Sequence, residues 1–107
     1  MVIDREDALR RLGGNEQLLQ MLLNKFVQEY SQSPAELEAL LAAQEYQAAT
    51  QLAHSVKGAA ANLGMLNLTE QVKEIEGLIK GSKEVPEKTL ACYAEEIINI
   101  RKEVEQG

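Results

Sequence analysis

The stretch AHSVKGAAANLGMLNLTEQVKEIEGLIKG, residues 53–81, decides the fold. It holds two helical patterns separated by a glycine stop. On an ideal helix at about 100° per residue, Leu52, Val56 and Leu63 lie roughly 160° to 200° from His54, whereas Gln47, Thr50, Gln51, Lys57, Gly58 and Ala61 lie within about 60° of it. One face therefore seeks a core and the histidine face opposes it. Gly64, following Leu63, predicts a left-handed C-terminal cap. Beyond it, Asn67-Leu68-Thr69-Glu70 reads as a capping box, and Leu68, Val72, Ile75 and Ile79 recur at 4-3-4 spacing up to Gly81. Helix, stop and helix make a helical hairpin.

The flanking sequence punctuates in the same way. Asp4 is placed to cap a short helix ending at Gly13-Gly14, and Asn15 to cap a long one with an apolar face of Leu18, Leu19, Leu22, Phe26 and Tyr30. Ser33-Pro34-Ala35-Glu36 reads as a capping box with proline at the first helical position, opening a short helix through about Ala43. The His54 helix begins near Gln44 or Glu45. Pro86 starts the last helix, which turns Leu90, Tyr93, Ile97, Ile100 and Val104 inward and ends in a charged tail, Arg101 to Gln106, predicted to fray. Four segments are long enough to span a bundle, and their connections are short. The expected fold is all-α: an antiparallel four-helix bundle with one or two short accessory helices near the N-terminus. With no repeat, low-complexity tract or linker, residues 1–107 read as one domain.

Composition narrows the function. Hydrophobic residues make up 45% and aromatics 4%, a balance that suits packed helices. The formal net charge of -6 argues against nucleic acid or an anionic membrane as partner, because those require clustered Lys and Arg. A protein partner fits better. Cys92 is the sole cysteine, which excludes an internal disulfide, and no apolar run suits a membrane span or signal peptide, so the expected compartment is the cytoplasm. Cys92 lies off the stripe of Leu90, Ile97 and Val104 and reads as a surface or boundary residue. One thiol and one histidine make neither a metal site nor a Cys/His nucleophilic pair.

His54 is the only histidine, and its outward position presents a nucleophilic imidazole. An imidazole of ordinary pKa, about 6.5, is mostly neutral at pH 7 and nucleophilic without a strong base beside it. One turn on stand a cation, Lys57, and a residue without a side chain, Gly58. The plain alternative is a solvated histidine with no role. Gly58 costs about 1 kcal/mol against alanine in mid-helix, which calls for either close helix packing or close approach of another molecule. Its outward position favours the latter. In the hairpin, residues 54 and 76 are equidistant from Met65, so Glu76 should lie level with His54 and accept a hydrogen bond from Nδ1, leaving Nε2 free. Alternatively, Glu76 pairs with Lys73 or Lys80 on its own helix.

The string AHSVKGAAANLG resembles the signature of histidine-containing phosphotransfer (HPt) domains, the carriers of multistep two-component phosphorelays. Upstream, ALRRLGGNEQLLQMLLNKFVQEY is similar to the N-terminal region of that family, and LNLTEQVKEIEGLIKG to the helix that returns beside the phosphorylated one. The resemblance implies that His54 is phosphorylated, that Lys57 is its electrostatic partner and that Gly58 clears room for the donor. It also implies a four-helix bundle. The partners implied are response-regulator receiver domains and a hybrid sensor kinase, with Mg2+ held by the receiver and no cofactor bound by this chain. There is no G-x-x-x-x-G-K-S/T phosphate cradle, no E-x-x-H metal pair and no Ser/His/Asp constellation. The chain reads as a phosphocarrier and not as an enzyme with its own ATP site. The alternative is a non-catalytic helical adaptor that only docks a protein partner.

Overall fold

Helix boundaries follow from local chemistry. The computed structural model describes residues 2–106, and within them lie six helices: α1 (Arg5–Arg11), α2 (Glu16–Tyr30), α3 (Ser33–Ala42), α4 (Tyr46–Asn62), α5 (Leu66–Lys80) and α6 (Glu87–Gln106). Asp4 caps α1 by accepting from the Asp7 N–H at 3.0 Å, and Asn15 caps α2 by accepting from Leu18 N–H at 3.0 Å. Four helices close with the same C-terminal motif, in which the N–H two residues past the cap donates back across it. Gly14 donates to the Leu9 carbonyl, Glu45 to Leu40, Met65 to Ala60 and Lys83 to Leu78. The left-handed residue of the motif is Gly13 in α1 and Gly64 in α4, but Gln44 in α3 and Ser82 in α5.

Two expected capping boxes are absent. Helix α5 starts at Leu66 with Met65 at its N-cap, so Asn67 lies inside the first turn and caps nothing. Met65 is already committed to closing α4, and the next helix begins directly after it. The Thr69 hydroxyl turns back to the Met65 carbonyl at 2.8 Å. Ser33 does not cap α3 either; Gln32 holds that position without a side-chain bond, and proline stands at the start of the helix as expected. The Ser33 hydroxyl points inward, donating to the Tyr30 carbonyl and meeting the Tyr93 hydroxyl of α6. Buried polar groups need partners, and this pair satisfies both while tying α3 to α6. The charged tail belongs to α6, which is helical through Gln106, with Val104 buried.

The helices pack as an all-helical bundle, and no strand occurs among the described residues. Helices α4 and α5 share the largest interface, α3 lies against α4, and α6 is packed against α5, α2 and α3. The core comprises Leu19, Leu23 and Phe26 of α2, Leu37 of α3, Val72, Ile75 and Ile79 of α5, and Tyr93, Ile97 and Ile100 of α6. The inner face of α4 is mostly alanine: Ala49, Ala53 and Ala60 flank Val56, all buried. Small side chains let a neighbouring helix approach closely, and α5 does so along the hairpin.

The turn between α4 and α5 is held from the N-terminus. Ile3 is fully buried, and the Asp4 N–H donates to the Gly64 carbonyl at 2.7 Å. Gly64 is thus required twice over. Its φ of +71° suits glycine, and a Cβ there would collide with the Asp4 carbonyl, which is backbone and cannot swing away. Gly64→Ala should therefore cost about 2 kcal/mol or more, read as a lowered midpoint of urea unfolding. Gly58→Ala, whose added Cβ meets nothing within 4 Å, should instead gain up to about 1 kcal/mol.

Candidate functional site

The α4–α5 hairpin brings one carboxylate under three nitrogen donors. Glu76, on the edge of α5 that faces α4, has a side chain only 5% exposed. Its Oε1 accepts from Lys57 Nζ at 2.5 Å. Its Oε2 lies 3.1 Å from His54 Nδ1 and 3.3 Å from Lys80 Nζ. The register follows from the turn, since residues equidistant from Met65 stand level, and the alanine face of α4 brings the two backbones near enough for a glutamate to reach. Both pairings weighed for Glu76 coexist in part: His54 is a partner, and so is Lys80 one turn along α5, while Lys73 is not.

Charge and burial set the state of the group. The Lys57 ammonium, as the strongest influence, pulls the Glu76 carboxyl down to about 2 from an ordinary 4.5; burial opposes this, and the Lys80 and His54 bonds add to the lowering. An ionised carboxylate can only accept, so the Nδ1 that faces it carries the proton. In the neutral ring Nε2 is then the nitrogen with a free lone pair. The His54 side chain is 69% exposed, so that nitrogen is open to an incoming reactant.

Gly58, four residues after His54, is exposed, and a Cβ built there meets no atom within 4 Å. Packing within the chain therefore does not require this glycine. The four expected site residues meet at the hairpin: His54, Lys57 and Gly58 follow one another along the outward side of α4, and the buried Glu76 lies beneath His54 and Lys57. What sequence reasoning missed is the bond from Lys57 to Glu76. A signal for it existed, because Lys57 and His54 share one edge of α4, so a carboxylate facing one is within reach of the other's flexible arm. Among the described residues, no group of three His, Cys, Asp or Glu side chains is arranged to hold a metal ion. Nor is any helix there long and apolar enough to cross a membrane.

The Hpt domain family model matches residues 21–106, most of the chain. The chain belongs to the Hpt family. The match opens within α2, so α1 and its capped turn lie outside it. Neither curated proteins nor solved structures gave a match. Hpt domains carry out histidine phosphotransfer in phosphorelays. They are phosphocarriers that in general lack an ATP site of their own, and they interact with response-regulator receiver domains.

The depressed Glu76 pKa makes stability depend on acid. A group that titrates near 2 when folded and at about 4.5 when unfolded stabilises the fold fully above the higher value. That contribution declines as pH falls and is gone below about 2. The stability difference between wild type and Glu76→Gln should accordingly be constant near neutrality and shrink from about pH 4.5 downward, measured by urea unfolding across the range. A difference independent of pH would mean that Glu76 is not held ionised by its neighbours.

Proposed function

We propose that this chain is a phosphorelay intermediate that accepts a phosphoryl group on His54 from the aspartyl phosphate of one receiver domain and passes it to another. The observation that carries this reading is the bond between His54 Nδ1 and Glu76, which directs the free lone pair of Nε2 outward. In the forward step Nε2 attacks phosphorus, an N–P bond forms, and the P–O bond to the donor aspartate breaks, its electron pair leaving with the carboxylate. The proton stays on Nδ1. The ring thereby gains positive charge, which the Glu76 carboxylate stabilises, and it remains a good leaving group for the onward transfer. Such transfer depends chiefly on alignment and charge stabilisation, and Lys57 stands one turn away to offset charge on the phosphoryl oxygens. Mg2+ belongs to the receiver in this scheme, and a hybrid sensor kinase feeds the relay.

The same reading takes α2, α4, α5 and α6 as an antiparallel four-helix core, with α1 and α3 accessory, in a single cytoplasmic domain. The competing reading is a helical adaptor without phosphate chemistry. It leaves unexplained both the open Gly58 and the ordered histidine. Incubation with a phosphorylated receiver separates the two, because a phosphohistidine gives an acid-labile, base-stable label on this chain and an adaptor takes none.

His54→Gln should abolish the label without unfolding the bundle, since the ring lies outside the core. Lys57→Ala should slow transfer on the order of ten-fold, equivalent to about 1.4 kcal/mol in the barrier, without eliminating it. Gly58→Gln should block a partner sterically, and normal acceptance by that variant would sink the access argument. Glu76→Ala should weaken attack on the order of ten-fold, equivalent to about 1.4 kcal/mol in the barrier, whereas Glu76→Gln, which keeps an acceptor for Nδ1, should retain much of the rate.

A further inference from the structure

Two features of α5 have no part in this scheme. Gly77 stands mid-helix beside Glu76, at a cost of about 1 kcal/mol against alanine. It is exposed, its φ is not left-handed, and a Cβ built there meets nothing within 4 Å. Neither packing nor backbone conformation calls for a glycine. The second feature is charge. Measured around α5 from Glu76 at about 100° per residue, Lys80 lies at roughly 40°, Lys73 at roughly 60° and Gly77 at roughly 100°. The buried Val72, Ile75 and Ile79 lie on the other side of Glu76. Lys73, Gly77 and Lys80 thus form an exposed strip bordering the carboxylate. Lys80 reaches Glu76, whereas Lys73 makes no ion pair among the described residues.

Helix α5 therefore repeats what α4 presents in Lys57 and Gly58: a cation beside an open glycine. In a chain of net charge -6, the exposed surface flanking His54 is locally cationic, with Lys57, Lys73 and Lys80 near the buried Glu76 carboxylate. Glu70 and Glu74 bound the strip on its far edge.

We infer that the Lys73–Gly77–Lys80 strip of α5 is the second half of the docking surface for the phosphoryl donor, a receiver domain bearing an acyl phosphate. The inference rests on His54 as the phosphoacceptor. The donor sits across both helices of the hairpin, and its backbone or small side chains come closest at Gly58 and Gly77. Its acyl phosphate and the carboxylate left after transfer are anions, which Lys57 and Lys80 beside Glu76 complement, while Lys73, farther round α5, meets the donor's surface outside the reacting group. Lys57 and Lys80 are also tied to Glu76. Lys73 and Gly77 serve docking alone.

That division supplies the test. From a panel of phosphorylated receiver domains, the one that labels the full wild-type chain fastest is titrated against wild type, Gly77→Gln and Lys73→Glu. Each chain is also treated with phosphoramidate, a small phosphoryl donor that needs no protein docking. We expect the KM for the receiver to rise ten-fold or more in Gly77→Gln and several-fold in Lys73→Glu, with phosphoramidate labelling of His54 unchanged in both. Gly77→Gln should fold, because glutamine is the better helix former, and Lys73→Glu reports on the same surface without touching the backbone. Wild-type KM for the receiver in both variants would overturn the docking surface and leave the phosphoacceptor reading intact. A wild-type chain that no receiver and no phosphoramidate labels at His54 would overturn the phosphoacceptor reading instead.

Discussion

A carboxylate buried between two helices is costly unless it is paired and hydrogen-bonded, and Glu76 imposes that condition on everything around it. Its two oxygens are matched by two ammonium groups and an imidazole N–H. Two of the three donors, His54 and Lys57, come from α4 and can take their places only when α4 and α5 hold one register; Lys80 reaches the carboxylate from within α5. A shift of one residue along either helix rotates the contact by about 100° and would leave the carboxylate facing apolar side chains or water. The site is thus a consequence of the hairpin, and the charge within it penalises any other alignment.

The register is in turn set at the turn. Gly64 closes α4, Met65 immediately begins α5, and the segment carrying Ile3 and Asp4 lies against that junction with a backbone bond to Gly64. The capped α1 follows directly from Asp4. A segment outside the family match therefore stabilises the geometry of residues within it. Elsewhere in the bundle, Ser33 and Tyr93 join α3 to α6 through buried hydroxyls, and burial pushes the Tyr93 phenol up to about 12, so it stays neutral near pH 7.

Much of this was legible in residue order, and the failures have identifiable causes. Side-chain caps at Asp4 and Asn15, the stop at Gly64 and the outward turn of His54 all follow from local rules that tertiary contacts did not oppose. The capping boxes at Ser33 and Asn67 failed because tertiary structure outbid local chemistry: Tyr93 claimed the serine, and the tight α4–α5 junction started the helix before the asparagine. The left-handed residues Gln44 and Ser82 carried no glycine to mark them. Glu76 was reachable through hairpin symmetry alone. Its bond to Lys57 is legible only through the edge of α4 that Lys57 shares with His54, a weaker signal than the hairpin symmetry.

Lys57 holds the Glu76 carboxylate in the structure and, in the proposed transfer, offsets the charge of the incoming phosphoryl group. Two ammonium groups and the His54 Nδ1 face one carboxylate, so the two lysines leave one unit of positive charge beside the ring. The carboxylate orders the Nδ1 proton, and the lysines, held by the same oxygens, are already gathered where a dianionic phosphoryl group would arrive. In the proposed transfer the ring becomes positive when Nε2 takes that group and draws Oε2 more strongly, while the Lys57 ammonium, which sits on Oε1, can turn toward a phosphate oxygen. Arrival and departure of phosphate then require only short movements of exposed lysine arms about a fixed carboxylate. A carrier that must give up what it accepts is served by such an arrangement, because little reorganisation separates its loaded and empty forms.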